Sequence, residues 1–146
     1  MRSLLDQPAL RTFAFWYLIL VVKMLVVVVM TSVARIRSGT FATPEDYKFQ
    51  GVEKVATEPN PNVERARRAL QNDLENILPF FGVGLIYALS EPSLFMARIY
   101  FAGFALARIV HTIAYLRAMQ PQRTIAFAVG QIILVLMVVT TLWTVL

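Results

Sequence analysis

The residues from Thr124 to Leu146 include no charged side chain, and those from Thr12 to Ala34 include only one, Lys23. A helix rising about 1.5 Å per residue needs about 20 apolar residues to cross the hydrocarbon core of a bilayer, so each stretch is long enough to span it. Two further stretches follow the same logic. Ser93 to Leu116 is apolar apart from Arg98, Arg108 and His111, and Asn76 to Ser90 is uncharged but short, so its helix must begin earlier among polar residues. The expectation is an all-α, integral membrane four-helix bundle forming one domain over residues 1–146. Its helices fall at about 12–35, 62–90, 93–117 and 122–145, with a cytosolic loop at 36–61.

Composition agrees. Hydrophobic residues make up 58% of the 146 and charged residues 16%, against roughly 45–50% and 25% in a soluble domain. The mean hydropathy is +0.61 and the pI about 10.0. A net charge of +5 would fit a nucleic-acid binder, but the charges sit at the ends of apolar stretches, which is a membrane pattern. The absence of cysteine excludes a disulfide framework and a cysteine nucleophile, and one histidine leaves no basis for a zinc site. No metal and no nucleic-acid partner are expected.

The first apolar stretch exceeds the 7–15 residues of a signal-peptide core and contains Lys23, so it reads as a retained anchor. Arg35, Arg37, Lys48, Lys54, Arg65, Arg67, Arg68, Arg117 and Arg123 lie on one side, and Arg2, Arg11 and Arg98 on the other. Nine against three puts both larger connections in the cytoplasm. Ser38-Gly39-Thr40 and Thr43-Pro44-Glu45-Asp46 break the chain after the first helix, and Glu58-Pro59-Asn60-Pro61-Asn62 leads stiffly into the second, with Asn60 or Asn62 as N-cap.

The informative residues are the polar ones held against the bilayer. Arg65, Arg68, Asn72, Glu75 and Pro79 share one face of the second helix, and Arg108, His111, Thr112 and Tyr115 one face of the third. The fourth helix opens on Arg123-Thr124 and the first ends on Arg35-Ile36-Arg37. Taken singly, these have structural explanations. Arg35, Arg37 and Arg123 read as flanking anchors, Arg98 as a snorkelling flank, Arg68 and Glu75 as a surface ion pair, and Lys23 as the partner of a carboxylate such as Asp73 or Glu75. Their coincidence at one depth points instead to a ligand pocket, because an arginine in mid-bilayer costs roughly 2.5–3.5 kcal/mol and turns inward to a partner. Guanidinium groups suit carboxylates, Glu75 suits an ammonium and Asn72 a peptide amide; a small zwitterionic peptide such as glutathione has this inventory.

Val63-Glu64-Arg65-Ala66-Arg67-Arg68-Ala69-Leu70-Gln71-Asn72-Asp73-Leu74-Glu75-Asn76-Ile77-Leu78-Pro79-Phe80 strongly resembles the second-helix signature of the MAPEG family, the membrane-associated proteins of eicosanoid and glutathione metabolism. Arg108 to Leu116 resembles its third-helix motif and Phe41 to Asp46 its first-loop motif. The resemblance implies a homotrimer with glutathione as co-substrate, bound between neighbouring subunits by Arg35, Arg68, Asn72, Glu75, His111, Tyr115 and Arg123. It further implies that Arg123 holds the thiolate, that Thr124 stands where prostaglandin-forming members have a catalytic serine, and that Asp46 matches an aspartate of prostaglandin chemistry. Arg108 matches a third-helix arginine with a structural role.

The chain departs from the family pattern in places. Leu70 and Gln71 stand where the family has a histidine and, in prostaglandin-forming members, an arginine, which implies a different hold on one arm of the peptide. Phe127 replaces a tyrosine, the link from Tyr115 to Arg123 is one residue short, and Tyr47 stands where some transferases carry an activating cysteine. The expected function is a glutathione transferase and peroxidase acting on hydrophobic electrophiles or lipid hydroperoxides from the bilayer. A glutathione-dependent prostaglandin endoperoxide isomerase and a non-catalytic lipid-presenting protein are the alternatives. The expected membrane is the endoplasmic reticulum in a eukaryote and the inner membrane in a bacterium.

Overall fold

The computed structural model describes residues 6–53, 55–56, 58 and 60–146, so Arg2, Lys54 and Pro59, used above, lie outside the described residues. Five helices and no strand occur among the described residues: α1 (Pro8–Ser38), α2 (Pro44–Phe49), α3 (Pro61–Leu89), α4 (Leu94–Leu116) and α5 (Gln122–Val145). Three of them, α1, α4 and α5, are long and apolar enough to cross a membrane. The 29-residue α3 is long enough, but its first half is too polar to meet the same criterion.

The boundaries follow from local chemistry. Pro8 occupies the first turn of α1, where no N–H is needed. Gly39 ends that helix at φ 61°, a left-handed cap in which Thr40 N–H donates to the Arg35 carbonyl at 3.2 Å. The helix α2 lies where the sequence reads as a break. Thr43 accepts from the Asp46 N–H at 3.4 Å, Pro44 starts the turn, and Glu45 and Asp46 complement the helix dipole, so the apparent breakers form one N-terminal motif. Asn60 caps α3, accepting from the Asn62 and Val63 N–H groups at 2.9 and 3.4 Å. Ser93 caps α4 by accepting from Met96 N–H at 3.3 Å.

The helices α3 and α4 touch each other and both flanking helices, α1 and α5, which do not touch one another. The apolar core sits at the end remote from α2. Phe80 stacks flat on Phe104 with centroids 4.2 Å apart, and Phe13 meets Phe101 edge-on at 5.3 Å. Close approach of α1 to α3 requires Gly84, because a Cβ there would lie 2.7 Å from the Phe13 ring. Outward faces remain apolar, with Leu18, Val22, Leu25 and Val29 of α1 and Leu78 of α3 exposed, as a helix facing lipid or another subunit requires. This division leaves the α2 end of α3, α4 and α5 to carry polar chemistry.

Candidate functional site

At that end, Pro61, Glu64, Arg65 and Arg68 of α3, Tyr115 of α4 and Arg123 of α5 line a cleft of about 270 Å³. Glu64 is drawn aside to Arg67, at 3.0 Å, so the remaining walls present three guanidiniums. Such a surface favours a carboxylate-bearing ligand, since guanidinium forks match carboxylates bidentately. The volume lies just under the roughly 300–1,000 Å³ of small-molecule sites.

Arg123 is held from two sides. Its guanidinium carbon lies 4.7 Å from the centre of the Tyr115 ring, a cation–π contact. With the Gln120 amide turned to satisfy its neighbours, its oxygen accepts from Arg123 Nη2 and Nε at 2.8 and 3.1 Å, and its nitrogen donates to Thr124 Oγ1 at 3.0 Å. Gln120 thus fixes a guanidinium and a hydroxyl side by side at the start of α5. His111 is buried behind them, its ring 5.6 Å from that of Tyr115, and its Nδ1 has no hydrogen-bond partner among the described residues.

Deeper in the chain, Asp73 is fully buried and takes two cations. Lys23 Nζ lies 2.5 Å from Oδ2 and Arg108 Nη2 lies 2.7 Å from Oδ1. Lys23 also donates to Thr112 Oγ1 at 2.8 Å, and Arg108 Nη2 to Asn72 Oδ1 at 2.8 Å. Two positive groups and one negative group leave this cluster with one surplus positive charge. Lys23 therefore has the carboxylate partner expected of it, and it is Asp73 rather than Glu75.

The structure brings Arg68, Tyr115 and Arg123 to one cleft, with Thr124 tied to Arg123 through Gln120 and His111 packed behind. Glu75 is exposed and accepts from Gln71 at 3.1 Å, and no Arg68–Glu75 ion pair forms among the described residues. Pro79 lacks the N–H that would bond the Glu75 carbonyl, so the helix is open at the same turn. Arg35 at the end of α1 and Asp46, exposed on α2, are not among the cleft walls, nor are Asn72, Glu75 and His111. Sequence reasoning put Arg65 on the pocket-facing side of its helix but gave it no ligand role, and it left Gln120 out altogether. The first carried its signal in the spacing from Arg65 to Arg68. The second lay in a connection, three residues before Arg123, where a helical register is not evident. No cluster of His, Asp or Glu suited to a metal ion forms among the described residues.

The MAPEG family model matches residues 13–143. Microsomal glutathione S-transferase 1 of Mus musculus is 44% identical over 134 residues, covering 89% of this chain and 86% of that protein. Prostaglandin E synthase of Bos taurus is 38% identical over 142 residues, covering 97% and 92%, and its counterpart in Homo sapiens is 36% identical over 140 residues, covering 95% and 91%.

Proposed function

The chain belongs to the MAPEG family, and on that premise we propose that it is a membrane-embedded glutathione transferase that also reduces lipid hydroperoxides. The observation carrying this reading is Arg123, fixed beside Thr124 by Gln120 and over Tyr115, at the edge of an arginine-lined cleft. In this reading Arg35 and Arg68 take carboxylates of glutathione, Glu75 its ammonium and Asn72 a peptide amide, with His111 and Tyr115 as walls. Arg123 stabilises the sulfur anion and Thr124 donates a hydrogen bond to it. Raising the thiolate fraction a hundredfold corresponds to about 2.7 kcal/mol of differential stabilisation, within reach of a preorganised cation and hydroxyl in a water-poor site. The thiolate then attacks an electrophile partitioned into the bilayer.

A homotrimer of four-span subunits completes the proposal, with α3 as the fourth span. It is supported by the small volume of the single-chain cleft, by the exposed position of Glu75 and by the bare apolar faces of α1 and α3. A neighbour would supply Arg35 to the ligand. The α2 side is then cytosolic, and the microsomal names of the relatives support the endoplasmic reticulum for a eukaryotic host. Thr124 and Asp46, together with the prostaglandin E synthase relatives, favour endoperoxide isomerisation as the second reading.

The test is thiolate absorbance on adding glutathione, with parallel assays on a chloronitrobenzene, a hydroperoxide and the prostaglandin endoperoxide. Wild-type protein should form thiolate and conjugate the nitrobenzene, while Arg123→Ala should stay folded and lose the thiolate signal. Unchanged absorbance in Arg123→Ala removes that residue from the mechanism. Isomerase turnover without conjugation reverses the order of the two readings.

A further inference from the structure

A second cleft, of about 650 Å³, opens at the opposite end of the chain from α2, between the first turns of α1 and α4. Its charged groups are the guanidiniums of Arg11 and Arg98, the Thr12 hydroxyl beside them donates to the Pro8 carbonyl at 2.8 Å, and its apolar walls include Phe15, Trp16, Leu94 and Ala102. The charge asymmetry of the chain makes this pairing informative. Arg11 and Arg98 are the basic side chains that the described residues place at this end, and they sit on two different helices, yet both line one cleft.

Neither arginine forms an ion pair or a side-chain hydrogen bond among the described residues, and the first turns of α1 and α4 contain no acidic residue. Two carboxylates lie nearby: Glu91 of the α3–α4 turn accepts from Gln7 Nε2 at 3.4 Å, and Asp6, just before α1, has an interaction of its own. Two helix N-termini add positive partial charge to the two guanidiniums. The cleft is therefore a cationic notch floored by aromatic and aliphatic side chains. It lies at the ends of two helices apolar enough to span a bilayer, which is the depth of phospholipid headgroups and of interfacial tryptophan.

We propose that this notch binds one anionic phospholipid in the leaflet opposite α2, with its phosphodiester between Arg11 and Arg98 and its acyl chain along Phe15, Trp16 and Ala102. Guanidinium pairs suit phosphate oxygens bidentately. A zwitterionic lipid would bring its own cation to a site that already holds two, so an anionic headgroup is preferred. The inference does not depend on the glutathione chemistry at the other end.

The experiment is native mass spectrometry of the detergent-purified full chain titrated with phosphatidylglycerol or phosphatidylcholine of matched acyl chains. The proposal expects one phosphatidylglycerol per chain, retained at least tenfold more tightly than phosphatidylcholine, and loss of that preference in Arg11→Gln/Arg98→Gln. The paired Arg11→Lys/Arg98→Lys variant should keep a reduced preference, and Lys48→Gln on α2 should keep all of it. Equal retention of the two lipids by wild-type protein overturns the proposal without recourse to any variant. So does an undiminished preference in the double glutamine variant, or displacement of the lipid by millimolar inorganic phosphate, which would mark a general anion site.

Discussion

Replacing Asp73 with asparagine keeps the shape of the side chain and removes the one negative charge that Lys23 and Arg108 share. Both ion pairs are charge-assisted hydrogen bonds, at 2.5 and 2.7 Å, to a carboxylate with no solvent exposure. With charge centres about 4 Å apart and an effective dielectric constant of about 20, each attraction is worth about 4 kcal/mol before desolvation. Repulsion between the two cations and the desolvation of all three groups offset much of that sum. Removing one partner from a buried pair costs about 3–5 kcal/mol, because the remaining charge is left uncompensated. Asp73→Asn is therefore expected to lower the unfolding free energy by about 3–5 kcal/mol. Lys23→Met acts in the other direction on charge. It removes the surplus cation and leaves a neutral Arg108–Asp73 pair, so its cost should stay under about 1.5 kcal/mol, in the range of volume-conserving swaps. Denaturation of both variants by dodecyl sulfate in mixed micelles, followed by circular dichroism, measures the difference. If Asp73→Asn proves no more destabilising than Lys23→Met, the carboxylate is not the counter-ion that holds the helices in register, and the reasoning fails.

Glu75→Gln should weaken glutathione binding by about 1.5–3 kcal/mol, the range for a hydrogen bond to a charged group, or roughly 10- to 150-fold in a calorimetric titration. Equal affinity would return Glu75 to a surface role. Gln120→Ala frees Arg123 and Thr124 from their shared amide; the thiolate signal should fall while glutathione affinity stays within about threefold, and an unchanged signal would show that Tyr115 alone positions the cation. Gly84→Ala puts a methyl group against the Phe13 ring and should cost about 1–3 kcal/mol in thermal unfolding, the usual range for overpacking.

The long helices were legible because an apolar stretch without charges has few other ways to fold, and the expected ends at 12–35 and 122–145 lie close to Pro8–Ser38 and Gln122–Val145. The helix α2 was not legible, because Thr43 and Pro44 serve equally as breakers and as an N-terminal cap, and the choice depends on the residues that follow. On α3 and α4, the spacing groups Arg68 with Asn72 and His111 with Tyr115, and of these Arg68 and Tyr115 line the cleft. It could not show how far one helix is shifted along its neighbour. That shift makes Arg108 a second partner for Asp73 and brings Arg123 over Tyr115. Arg35, Asp46 and Glu75 are not among the walls of the cleft formed by one chain.

The buried position of Asp73 has a consequence for biogenesis. In the four-span arrangement proposed here, α3 is the segment least able to partition into lipid by itself, since it carries a carboxylate midway along an otherwise marginal stretch. Of its two cationic partners, Arg108 comes from α4, which is made after α3, and Lys23 from α1, which leaves the ribosome before it. Nascent α1 would thus wait in the bilayer as a chaperone within the same polypeptide, and the later segment would integrate only once its counter-charge is in place.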